Sequence, residues 1–285
     1  MKNRFGGLWT REKLKILEQY LTFYTTAMKN QSFTLHYVDA FAGTGNQDLK
    51  LIDVQDDFFP EEDFDGSVRI ALDAEPSFGK YHFNDLDPQR AASIKSIAKV
   101  DYPSKNILVS EMDANQFVPQ FCSSLTPNDR AVLLLDPFST QLDWETVRHV
   151  AYSQKIDLWL LFPVSVILRM TPRDGVKIKP EWRDTLNRLL GTEEWETALY
   201  KAKEKPPIED MFDTETTDSL TERINVIELQ TWVTNRLNSV FAYVAEPKLL
   251  TNRGRPLFLF YFAVSNPAPA AWRLADRAIK SILKN

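Results

Sequence analysis

The chain reads as an α/β protein on a doubly wound, mostly parallel sheet, and three observations lead there. Short apolar runs alternate with helix-compatible stretches from residue 35 to residue 162. Several of these runs end in an acid where the chain turns. The 285 residues are 44% hydrophobic and 26% charged, an ordinary balance for a chain that buries a core. Alternation of this kind calls for crossover connections, and crossovers favour parallel strand pairing.

The elements follow in order. Leu14, Leu17, Leu21, Tyr24 and Met28 recur at three- and four-residue spacing, predicting a packing helix over 10–29. Leu35–Ala42 is short, mostly apolar and followed by Gly43-Thr44-Gly45, as expected of a buried first strand ending in a tight turn. Further strands are predicted at 81–85, 106–110, 131–136 and 156–162. Residues 163–217 hold no strand candidate and read as a helical insert broken by Pro172, Pro180, Gly191 and Pro206-Pro207. Ser219-Leu-Thr-Glu222 has capping-box spacing and predicts a helix from there to about Asn238. Two strands, Val240–Leu249 and Leu257–Val264, flank Thr251–Pro256 as a hairpin before a last helix over 270–283. Five parallel strands and a terminal hairpin make a Rossmann-like, seven-stranded sheet with an antiparallel last strand beside strand 5, the order of the class I methyltransferase fold.

The length suits one domain spanning 1–285. No apolar run approaches the ~20 residues of a membrane span. The first residues lack the apolar stretch of a secretory signal, and the single Cys122 forms no internal disulfide, so a cytoplasmic protein is expected. His36, His82 and His149 are scattered, without the spacing of a metal site. Net charge is −5, but 46–65 holds eight acids against Lys50, a local balance of −7 that leaves the rest at +2. That acidic insertion reads either as a solvated loop or as a lid over a ligand. The mean charge is therefore a poor guide to partners.

Open α/β sheets bind ligands beyond the carboxyl ends of their strands. Those ends carry Asp39 before the Gly43–Gly45 turn, Asp85 and Asp87, Asp113 before Ala114, and Asp136-Pro137-Phe138. The dinucleotide fingerprint asks for glycine at position 48, which is Asp, and no phosphate-loop lysine motif occurs. An acid at the end of strand 2 suits the two hydroxyls of a ribose, and acidic neighbours suit a sulfonium, so S-adenosylmethionine is the expected cofactor.

The sequence resembles the three-Cys-motif partner family, a branch of the S-adenosylmethionine methyltransferases. The likeness rests on Gly7–Leu14, Tyr37–Gly45, Leu134–Phe138, Asp143–Thr146, Ile156–Pro163 and Pro256–Ala263. It implies that Asp39 with Phe41, Ala42, Gly43, Thr44 and Gly45 holds the methionine end of the cofactor. Asp85 would bind the ribose, Asp113 and Ala114 would border the adenine, and Asp136, Pro137 and Phe138 would hold the methyl acceptor. In that scheme Asp136 accepts a hydrogen bond from an acceptor N–H, and Phe138 stacks on the target ring. The motif differs from the Asp-Pro-Pro-aromatic box of amino-methylating relatives by one missing proline. The resemblance also implies a functional link to a radical-type three-cysteine protein.

Nucleic acid is the expected substrate class. The insert supplies Arg169, Arg173, Lys177, Lys179, Arg183, Arg188, Lys201, Lys203 and Lys205 among Trp182 and Trp195, and the hairpin supplies Arg253 and Arg255. Bland alternatives stand beside these readings. Asp113 caps a helix as readily as it borders adenine, Asp136-Pro-Phe suits a plain turn, and the insert's bases suit a solvated face. Asp87, followed by proline, reads as an N-cap, His36 and His82 as core histidines, and Cys122 as an inert thiol. A non-catalytic cofactor-binding subunit and a small-molecule methyltransferase are the other functional readings.

Overall fold

A computed structural model describes residues 8–43, 64–202 and 221–283. Thr44, Gly45, the acidic residues of 46–63, Lys203, Lys205 and Ser219 lie outside the described residues. Strands β1 (Thr34–Asp39), β2 (Lys80–Asn84), β3 (Ile107–Ser110), β4 (Asp129–Leu135) and β5 (Ile156–Phe162) alternate with α1 (Leu8–Met28), α2 (Phe64–Asp73), α3 (Pro88–Val100), α4 (Ala114–Ser124) and α5 (Trp144–Ser153). The insert follows as α6 (Val164–Met170), a short 3-10 turn, α7 (Pro180–Leu190), α8 (Trp195–Ala198) and the strand pair β6 (Tyr200–Ala202) and β7 (Thr221–Arg223). Helix α9 (Val226–Asn238), strands β8 (Tyr243–Val244), β9 (Lys248–Asn252) and β10 (Arg255–Val264), and α10 (Pro269–Ile282) close the chain.

The sheet runs β3-β2-β1-β4-β5-β10-β8, with β9 also on β10. The first five strands are parallel, and β10 lies antiparallel to β5. This is the predicted class I methyltransferase order, with one difference: the sheet has eight strands because the predicted strand 240–249 is split. Pro247, which has no N–H to give the ladder, sits in the break between β8 and β9.

Two apolar layers sandwich the sheet. On one face Leu17, Tyr20 and Leu21 of α1 are fully buried against Trp159, Phe260 and Phe262. Each such side chain contributes about 1.5–3 kcal/mol by leaving water. The other face carries α4, α5 and the insert, including Trp195, which is fully buried. Among the described residues no helix is long and apolar enough to cross a membrane.

Two local expectations are corrected. The 163–217 insert is not wholly helical, since Tyr200–Ala202 pairs antiparallel with Thr221–Arg223. For the same reason the Ser219–Glu222 spacing starts no helix: Glu222 is in a strand, and α9 begins after Asn225. There the Asn225 side chain accepts from the Glu228 N–H while Glu228 reaches back to the Asn225 N–H. A local motif gave way to a pairing partner twenty residues away.

Candidate functional site

The carboxyl rim of β3-β2-β1-β4 assembles the predicted acids through backbone and side-chain bonds. Asp39 ends β1 and is 1% exposed. Its Oδ1 accepts the Phe41 N–H at 3.2 Å, and its Oδ2 accepts the Ser67 hydroxyl at 2.9 Å. It therefore shapes the turn at Phe41–Gly43 and fastens α2 to it. Burial pushes its carboxyl up to about 7; the Ser67 bond opposes this, and the nearby Asp136 charge adds to it. Gly66 lets α1 close over this corner, where a Cβ would meet the Leu14 side chain at 2.8 Å.

Asn84, which the sequence reading passed over, ties the loops after β1 and β3 to the end of β2. Its amide donates to the carbonyls of Ala40 and Met112 and accepts the Met112 N–H, at 3.1, 2.9 and 3.1 Å. The Ala42 N–H donates to the Asn84 carbonyl at 2.9 Å, which bends the β1 turn over the end of β2. Its one legible signal was a polar side chain beside Asp85 at the close of an apolar strand.

Asp85 follows directly and is 4% exposed. Its Oδ1 accepts the Asp87 N–H at 2.8 Å, while Oδ2 is buried and has no hydrogen-bond partner among the described residues. Burial raises this carboxyl to about 6, against the Asp87 N–H bond that lowers it. A buried acceptor left unmet costs about 1–3 kcal/mol, so the oxygen is a place where a donor is wanted. Beside it Leu86 is 65% exposed at the same rim, an apolar surface next to a polar one. Asp87 caps α3, accepting the Gln89 N–H at 2.8 Å, as its proline neighbour predicted.

Asp113 caps α4 through the Asn115 N–H at 2.8 Å, with Ala114 buried behind it. Asn115 extends this contact to the strand-4 loop. It donates to the Gln141 carbonyl at 2.8 Å and accepts from the Asp143 N–H and the Thr146 hydroxyl at 2.9 and 2.8 Å. Within that loop Ser139 is in the left-handed region at φ 57°, an uncommon conformation for a non-glycine residue.

Asp136 follows directly on β4 with its side chain one quarter exposed, and its Oδ2 accepts from Lys13 Nζ of α1 at 2.5 Å. Pro137 is buried and Phe138 half-buried. The lysine contact was not anticipated from sequence, since 123 residues separate the pair.

The predicted basic residues sort into two groups. Arg169, Arg173 and Lys177 are exposed at and beyond the end of α6, which leaves the carboxyl end of β5, although Lys177 also pairs with Asp174 at 3.7 Å. Arg253 and Arg255 are exposed at the β9–β10 tip. Arg253 and Gly254 have φ of 48° and 77°, the geometry of a two-residue type I′ hairpin. Leu259 lies opposite Phe162, so the tip reaches about 13 Å past the end of β5 at ~3.3 Å per residue. Other insert bases are engaged with the protein. Arg183 pairs with Glu196, Lys201 with Glu228, and Arg188 with Asp143 and the Thr140 carbonyl. Trp195 is core and Trp182 lies beneath Lys179, so neither is an open stacking platform. Arg188 instead latches the insert onto the strand-4 loop.

Away from this rim, His36 Nε2 meets Asp129 Oδ1 and His36 Nδ1 meets His82 Nε2, both at 3.0 Å, which makes them hydrogen-bonded core histidines. Cys122 is buried, and burial pushes its thiol up to about 12.

No family model matches the chain, and no curated protein matches it. Among solved structures, a Legionella pneumophila protein is similar at 12% identity, with a TM-score of 0.45, covering 98% of this chain and 94% of that one. Magnesium protoporphyrin IX methyltransferase from Synechocystis with bound S-adenosylmethionine is similar at 8% identity and TM-score 0.39, covering 92% and 86%. An S-adenosylmethionine-dependent methyltransferase from Clostridium acetobutylicum is similar at 10% identity and TM-score 0.35, covering 87% and 91%.

Proposed function

We propose that the chain is an S-adenosylmethionine-dependent methyltransferase acting on nucleic acid, organised as one methyltransferase unit with 163–217 as its substrate-recognition region. We place it in the three-Cys-motif partner family, with a radical-type three-cysteine protein as its functional partner. The observation that carries the cofactor reading is Asp85: a buried carboxylate oxygen with no donor, at the carboxyl end of β2, beside the exposed Leu86. A ribose hydroxyl supplies the donor, and an adenine ring covers the leucine.

The residues present fit that cofactor. Asp85 would bind the ribose, the Phe41–Gly43 turn held by Asp39 would receive the methionine end, and Asp113 and Ala114 would edge the base. The group supplies an activated methyl on a sulfonium, and its transfer needs alignment and charge stabilisation more than acid–base chemistry. Asp136 offers the hydrogen-bond acceptor, Phe138 a ring face, and the exposed arginines of α6 and the hairpin phosphate contacts.

The test is transfer of a labelled methyl group to DNA, RNA and protein pools. Label in nucleic acid, lost in Asp136→Ala while S-adenosylhomocysteine binding persists, supports the reading; unchanged turnover removes Asp136 from the chemistry. A second reading, a cofactor-binding subunit without turnover, draws on Asp136 being already paired with Lys13, and saturable binding with no transfer to any pool would establish it. A small-molecule methyltransferase would bind its acceptor with little salt dependence, unlike an enzyme that contacts phosphates.

A further inference from the structure

We propose that Lys13 is a positioning residue of the acceptor site, a role that rests on the reading of Asp136 given above. Its ammonium is 2.5 Å from Asp136 Oδ2, and the lysine side chain is 3% exposed against 25% for the aspartate. The lysine thus approaches from beneath and the carboxylate faces the rim. Clamped through Oδ2, the carboxylate is held in one orientation toward the rim, instead of turning freely about its last bond.

The clamp is held in place because the turn of α1 that leads into Lys13 is anchored to the β9–β10 hairpin. Trp9 packs on Phe258 at the hairpin root, with ring centroids 5.0 Å apart. Glu12 pairs with Lys248 of β9 at 2.9 Å. Lys13 Nζ also lies 5.6 Å from the Trp9 ring. A lysine buried to this degree is costly to keep unless its charge is answered, and Asp136 answers it. The same pair bears on Asp39, whose carboxyl is influenced by both charges. Lys13 therefore belongs to the polar floor shared by the cofactor turn and the acceptor loop.

The experiment compares wild-type, Lys13→Met, Lys13→Arg, Asp136→Asn and the Lys13→Met/Asp136→Asn double variant of the full chain. It measures methyl transfer from labelled S-adenosylmethionine to pooled DNA and RNA, S-adenosylhomocysteine affinity by calorimetry, and melting temperature. The expected result for Lys13→Met is a turnover loss of about 100-fold with cofactor affinity held within about threefold. Lys13→Arg should restore most of that turnover, and the double variant should be no slower than Asp136→Asn alone. Wild-type turnover in Lys13→Met overturns the proposal, as does a loss of S-adenosylhomocysteine affinity equal to the loss of turnover, which would mark a structural role only. If Lys13→Met does not fold, Lys13→Gln takes its place in the same comparison, and wild-type turnover in Lys13→Gln overturns the proposal. Absence of transfer by the wild-type chain, with S-adenosylhomocysteine bound, instead removes the methyltransferase reading itself and this role with it.

Discussion

Replacing Asp85 by Asn separates the two demands placed on one side chain. In the free protein the carboxyl is raised by burial to about 6, so the folded state carries a carboxylate it would rather protonate. The group contributes stability that is fully present below its unfolded value of about 4 and is lost as pH rises through about 6. A shift of that size, discounted for solvent screening, corresponds to about 1–2 kcal/mol at neutral pH. Asp85→Asn should therefore raise the melting temperature of the ligand-free protein at pH 7.5 by about 2–6 °C, the gain vanishing near pH 4. Binding should move the other way. A carboxylate that receives ribose hydroxyls forms charge-assisted bonds worth about 1.5–3 kcal/mol, so the variant should bind S-adenosylhomocysteine about 10- to 150-fold more weakly at pH 7.5. That deficit should shrink as pH falls through 6, where the wild-type carboxyl protonates and loses the same advantage. Scanning calorimetry and titration calorimetry across pH 4.5–8 measure both limbs. A variant that melts lower than wild type at neutral pH, or that binds S-adenosylhomocysteine as tightly, would refute the assignment of Asp85 as an unmet acceptor for the cofactor.

Arg253→Ala/Arg255→Ala changes only exposed side chains, so stability should stay within about 0.5 kcal/mol; if the hairpin tip contacts phosphates, the salt slope of nucleic-acid affinity should drop by about two, and an unchanged slope argues against it. Gly191→Ala should cost about 2–4 kcal/mol in urea denaturation, because the residue has φ 66° at the end of α7 and a Cβ there would strike the Trp144 ring; a stable variant would show that α7 can retreat. His82, lowered to about 4 by burial and then by the neighbouring His36, makes the folded state lose stability as pH falls from about 6.5 to about 4. His82→Gln, whose amide can still donate to His36 Nδ1, should flatten that acid limb in pH-dependent melting.

Much of the fold was legible along the chain. The parallel strands, the antiparallel last strand and the caps at Asp87 and Asp113 depend on periodicities and short-range bonds, which a single stretch of sequence records. β5 illustrates this, since its predicted and observed limits coincide at 156–162. The order of acids at the strand ends was equally readable, because topology alone brings successive carboxyl ends to one rim. Where reading failed, a distant partner had overruled a local signal: Thr221–Arg223 joined Tyr200–Ala202 instead of opening a helix, and Pro247 split a strand whose flanks looked continuous.

The chain by itself therefore determined which side chains arrive at the rim; the tertiary structure decided what each of them does there. Asp39 holds a turn and a helix, Asp85 keeps one oxygen for a donor, Asn84 binds two loops, Arg188 latches the insert, and Asp136 is gripped by Lys13 from 123 positions away. Such roles are pairwise and long-range. Burial and ion pairing are set by what folding packs against a residue, and that is written in no neighbourhood of the sequence.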